Sequence, residues 1–158
     1  MFMWRQLREW YDALSNRIGR RAERRQAVEY EHARNDFHHQ REWLEVKFIE
    51  RASTSGKPRG LRWTDVEFDN DVTYAREIST RELCAFVAIT VSFEAIEGGP
   101  MEDVEAVSRK RAATAVFRLI KGAWTTQGRA LFNLTPIDAI EHFREELELV
   151  GRETTVTS

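Results

Sequence analysis

The densest carboxylate cluster in the chain is Asp65, Glu67, Asp69 and Asp71. Residues two apart on a strand share a face, so Asp65 and Glu67, with Asp69 as a third, could offer oxygens together to a hard cation, in a spacing like the start of an EF-hand calcium loop. The twelfth position counted from Asp65 is Arg76 where such a loop needs glutamate, and the run reads better as a solvated strand face that resists edge pairing. Glu29 and His32 have the i, i+3 spacing of a di-iron bundle, whose chemistry requires a second such pair and further glutamates; only one pair is apparent, with His38 and His39 nearby. His142, between Glu141 and Phe143, reads as a surface histidine. No nucleophile stands next to a plausible base. The sequence therefore predicts no catalytic residue, no metal site and no cofactor.

A polar pocket is the one ligand site the sequence invites. In Leu83–Ala95 alternate residues Leu83, Ala85, Val87, Ile89, Val91 and Phe93 are apolar, while the other face runs from Cys84 and Phe86 to Thr90, Ser92 and Glu94. On the concave side of a curved sheet, Glu94 beside the hydroxyls of Thr90 and Ser92, with Thr114 or Arg118 on a neighbouring strand, would bind a small ligand. Gly98-Gly99-Pro100 is a poor phosphate cradle, because proline lacks an amide donor and Glu97, Glu102 and Asp103 repel anions. Arg109-Lys110-Arg111 is read as a turn paired with Glu102, Asp103 and Glu105. The lone cysteine, Cys84, sits in an apolar run as a small core residue and excludes any intrachain disulfide framework.

The other candidate is a binding face. Placed at 100° per residue, Met3, Trp4, Leu7, Trp10, Tyr11, Leu14 and Ile18 fall within an arc of about 120°, the width of an apolar helix face, with Arg5, Arg8, Arg17 and Arg20 around the remainder. Such a face suits a protein partner, a second copy of the chain, or an anionic membrane surface, where aromatics settle at headgroup level and arginines meet anionic lipid. Nucleic acid is not the expected partner: Glu23, Glu29 and Glu31 interrupt or follow the basic patch at Arg17–Arg25.

These candidates need elements to hold them. Residues 1–52 carry helical composition and read as a basic helical arm in two segments, with a break near 19–25 where the apolar stripe meets Arg21 and Arg25, or else as one long helix whose apolar face changes partner. A second stripe runs through Tyr30, Ala33, Phe37, Leu44 and Phe48. Turn-forming residues at 53–60 read as a linker. The remainder, 61–151, is read as a curved antiparallel sheet of about five strands, at Leu61–Phe68, Val72–Ile78, Leu83–Ala95, Ala112–Ile120 and Ala123–Phe132. A short helical turn is expected within Met101–Lys110. A C-terminal helix follows, capped by Thr135 and Pro136 and packing through Ile140, Phe143, Leu147 and Val150, before a flexible tail at 152–158. This α+β layout, an antiparallel sheet curled around a helix, resembles cystatin-like folds in arrangement only; no motif of that family is carried by the chain.

Bulk composition agrees with one folded domain: 158 residues, 42% hydrophobic and 32% charged. The formal net charge of −2 conceals a polarised chain. Up to Gly60 there are 13 basic and 9 acidic residues, a net of +4; from Leu61 there are 11 basic and 17 acidic, a net of −6. No run of about 20 apolar residues spans a bilayer, and charges from Arg5 onward interrupt any secretory leader. The expectation is a cytoplasmic, non-enzymatic interaction module, peripheral to a membrane where its arm meets lipid and capable of self-association. The alternative is a ligand-binding or enzymatic domain built on the Glu94 pocket.

Overall fold

A computed structural model describes residues 2–104 and 109–154. The chain divides into two units, 1–39 and 40–158.

The first unit is a single helix, α1 (Phe2–His39). Its 38 residues extend about 57 Å at 1.5 Å per residue. It runs unbroken through 19–25, which corrects the expected break. The change of apolar stripe at Arg21 leaves the backbone helical. The backbone there still consists of arginine, glutamate, glutamine and alanine, all good helix formers, and one glycine at Gly19 costs only about 1 kcal/mol. The interruption lies instead at Gln40, whose φ of −97° and ψ of 4° leave the helical region.

The second unit begins with α2 (Arg41–Thr54), so the arm expected over 1–52 is divided between the two units. The strands are β1 (Leu61–Phe68), β2 (Val72–Glu77), β3 (Leu83–Ala95), β4 (Arg111–Ile120), β5 (Ala123–Thr125), β6 (Ala130–Phe132) and β7 (Leu147–Glu153), with a short helix α3 (Pro136–His142) before β7. They form one antiparallel seven-stranded sheet, larger than the five strands expected. β3 pairs with β4 along one edge, and on the other with β2 at Leu83–Phe86 and β1 at Ile89–Ala95. β4 is shared in the same way: β5 pairs at Arg118–Ile120 and β6 at Ala113–Ala115. Seven strands thus occupy five positions across the sheet.

Two helices cover the two faces. On one, Phe48 of α2 is wholly buried against Trp63, Phe68 and Phe117, with ring centroids 5.8 to 6.3 Å apart. Leu44 and Ala52, one turn to either side, are buried with it, as helical periodicity requires. On the other face Ala139 and Ile140 of α3 pack on Ala75, Cys84 and Phe86, bordered by Val116, Leu131, Leu134 and Leu147. β3 lies between. Its residues Leu83, Ala85, Val87, Ile89, Val91 and Phe93 are all buried, whereas its other face opens from Cys84 and Phe86 to an exposed Glu94.

The C-terminal helix is shorter than expected. Thr135 caps it, its hydroxyl accepting from the Asp138 amide at 3.1 Å, and Pro136 occupies the first turn. The chain then turns at Phe143, and Leu147 and Val150, expected on the helix, stand on β7. Leu147-Glu148-Leu149-Val150 fits either period, and the outer edge of β2 supplies backbone partners that a longer helix would leave unpaired. Arg152 and Glu153, expected in the tail at 152–158, instead pair with β2. The strand expected over 123–132 is divided by a loop in which Thr126 donates to the Val116 carbonyl. At the β4–β5 hairpin, Lys121 and Gly122 have φ of 51° and 79°, the pair of positive angles a two-residue turn of this hand requires. Met101–Asp103 form turns, and the expected pairing of Glu105 lies outside the described residues.

Candidate functional site

In α1 the apolar arc is exposed along its whole length, from 39% at Leu14 to 80% at Trp4. Met3, Leu7, Trp10, Tyr11 and Ile18 are all more than half exposed. At 100° per residue, Arg8 stands about 40° beyond the Trp4 edge of the arc and Arg17 about 20° beyond the Trp10 edge. Arg5 and Arg20 fall on the far side. Arg21 and Arg25 continue the line of the arc toward the C-terminal end, so one helical face changes from apolar to basic along its length. Among the described residues, no helix is long and apolar enough to cross a membrane.

The five pocket candidates are not brought together. Glu94 is exposed and pairs at 3.1 Å with Arg62, its direct cross-strand neighbour. Ser92 contributes its backbone carbonyl, which accepts from Thr64 at 3.1 Å. Thr90 borders an open groove of about 520 Å³ together with Glu67, Asp69, Asn133 and Thr135. Thr114 is buried outside that lining and donates to the Leu134 carbonyl at 2.6 Å. Arg118 lies opposite Cys84, ten residues along β3 from Glu94, which is about 33 Å at the strand rise. The alternation correctly placed the polar side chains on one face. Thr90 and Thr114 lie diagonally across the β3–β4 pair, and Arg118 stands at the opposite end of β3 from Glu94.

At the Arg118 end the β2–β3 hairpin supplies two carboxylates that the sequence did not single out. Arg118 Nη2 lies 2.6 Å from Glu77 and Nη1 lies 3.9 Å from Glu82. A small cavity of about 60 Å³ adjoins them, bordered also by Cys84, Phe86 and Glu146. Burial pushes the Cys84 thiol up to about 11; Arg118 pulls it down, and Glu77 and Glu82 add to the rise. The sulfur is therefore protonated at neutral pH and is not a nucleophile.

Several residues of the remaining motifs have local partners. Glu67 pairs with Lys110 at 3.5 Å, Asp69 accepts from the Asn70 amide at 2.8 Å, and Asp71 pairs with Arg152 at 3.8 Å. No group of three metal-ligating side chains occurs among the described residues. The Gly98 amide donates to Glu102 at 2.9 Å, which fills the would-be cradle with the chain's own carboxylate. Arg111 lies over the Phe93 ring at 5.9 Å, and the His142 ring packs edge-on against Phe143 at 4.8 Å. Compared with known protein families, curated proteins and solved structures, the chain matches none of them.

Proposed function

We propose that this chain is a non-enzymatic interaction module that attaches to anionic membrane surfaces through the N-terminal half of α1. The observation that carries the reading is the exposed arc from Met3 to Ile18. It extends about 22 Å at the helical rise and includes three aromatic rings, the size of apolar surface that marks an interaction site. Trp4, Trp10 and Tyr11 suit the headgroup level of a bilayer, and Arg8 and Arg17 on the two flanks can reach phosphates while the arc is immersed. Each arginine near an anionic surface adds about 1 kcal/mol.

A second copy of the chain is the competing occupant. Arg21 and Arg25 argue against it, since a parallel pair continuing the same seam would bring these cations against their equivalents. At a membrane the same two residues meet lipid phosphates.

The test is co-sedimentation of the full chain with vesicles of phosphatidylcholine alone and with phosphatidylserine added. The native chain should bind the anionic vesicles, and Trp10→Asp/Leu14→Asp should weaken binding about tenfold or more. Absence of binding by the native chain would overturn the proposal. If the chain is then a dimer that the double variant dissociates, the arc is a self-association face instead.

A further inference from the structure

We propose that the second unit holds a binding site for a small organic anion, an oxyanion head on a compact apolar body, in the recess shared by Arg51, Arg118 and Arg129. The recess has a volume of about 410 Å³ and lies where the loop between β5 and β6 leaves the edge of β4. That volume sits at the lower end of the range for small-molecule pockets, about 300–1,000 Å³. It suits one small molecule better than a polymer.

Three arginines line this one recess, and their charges are not equally compensated. Arg118 has Glu77 and Glu82. Among the described residues, Arg51 and Arg129 have no carboxylate within ion-pair distance. Arg51 is not needed to cap the end of α2, because the hydroxyls of Ser53, Thr54 and Ser55 already donate to the last carbonyls, at Glu50, Arg51 and Ala52. Arg129 also lies over the Phe143 ring, its guanidinium carbon 5.6 Å from the ring centroid. Gln127 adds an amide donor, and Val116 and Ile120 provide an apolar wall.

The backbone holds the cations together at close range. Gly128 has φ of 75°, and a Cβ there would stand 2.4 Å from the Ala52 amide nitrogen and 2.7 Å from the Arg51 carbonyl carbon. Only glycine lets the 126–129 loop press against the last turn of α2, and that contact sets Arg51 and Arg129 beside one recess. Planar guanidinium groups bind carboxylates and phosphates in two-point fashion, so such a cluster selects an oxyanion over a halide.

Titration of the full chain with phenyl phosphate, benzoate, inorganic phosphate and benzyl alcohol at low ionic strength tests this, read by calorimetry and by amide shifts at residues 125–129. Phenyl phosphate or benzoate should saturate a single site, inorganic phosphate should bind more weakly, and benzyl alcohol should not bind. Which of the two aromatic anions binds tighter identifies the head group. Arg51→Ala/Arg129→Ala alters exposed side chains and should weaken binding about tenfold or more with an unchanged near-ultraviolet circular dichroism spectrum. Arg129→Gln, which keeps the bulk, should give a smaller loss in the same direction. No saturable binding of either aromatic anion, or equal affinity in the double variant, would overturn the site. Trp10→Asp/Leu14→Asp should leave phenyl phosphate binding intact. Loss of vesicle binding in the arginine variant, without binding of free phenyl phosphate, would assign the recess to lipid headgroups and overturn the small-molecule reading.

Discussion

Cys84 illustrates how position decides the chemistry of a side chain. Its thiol is held up to about 11, two units above its ordinary value of 9.0, chiefly by burial. A group whose folded value is raised contributes stability that is complete below its unfolded value and is lost as pH rises through the folded one. Between pH 9 and 11 the native chain should therefore lose about 2–3 kcal/mol more than Cys84→Ala does, at 1.36 kcal/mol per unit, in urea titrations of both. The same burial should make alkylation of Cys84 slow at pH 8 and fast once urea unfolds the chain. Gly128 makes the complementary point about backbone. Gly128→Ala combines positive φ with a collision against α2 and should destabilise the second unit by about 2 kcal/mol or more in the same assay. Cys84 was legible in the sequence, because its apolar neighbours announce burial. Gly128 was not, because its partner lies 76 positions earlier in the chain at Ala52. Arg51 and Arg129 were silent for the same reason, since nothing in their own neighbourhoods signals that they meet.

At the scale of elements, sequence pattern worked where one period dominated and failed where two were compatible. β1 and β3 stand where the alternation put them, and the amphipathic helical composition of the first forty residues became α1. The last element failed because Leu147, Leu149 and Val150 serve a helix or an edge strand equally well, and the decision belonged to β2, whose free edge needed hydrogen-bond partners. The helix before it shows the value of a local signal: Thr135 and Pro136 fix its start. Thr135→Ala should cost about 1 kcal/mol in thermal or urea unfolding, since it removes the acceptor for the Asp138 amide. Phe48→Ala should cost about 3–5 kcal/mol, because it vacates the centre of an aromatic cluster that joins α2 to two strands, β1 and β4.

For the whole molecule, the near-neutral charge is the sum of unlike parts. A basic helical stretch carries the face proposed to meet lipid, while the sheet half is acidic and would be repelled by the same surface. Vesicle binding should therefore weaken as salt rises from about 0.1 to 0.5 M, as screening shortens the reach of Arg8, Arg17, Arg21 and Arg25. The immersed rings should preserve a residual affinity that Trp10→Asp/Leu14→Asp abolishes. Sedimentation across a salt series reads both.

The position of β3 also bears on how quickly the chain reaches its fold. Its thirteen residues touch β1, β2 and β4, so no other strand can complete its pairing before β3 is in place, apart from the outer pairs of β2 and β4. The β2–β3 hairpin closes locally, whereas β1 and β4 must be gathered from farther along the chain, and early contacts of that kind form a folding nucleus. Truncation at the middle of β3, as in Val87→Ala, should slow refolding in stopped-flow measurements. Truncation on α3, as in Ile140→Val, should mainly hasten unfolding. One strand then governs the rate at which the sheet assembles, while the helix behind it governs how long the sheet persists.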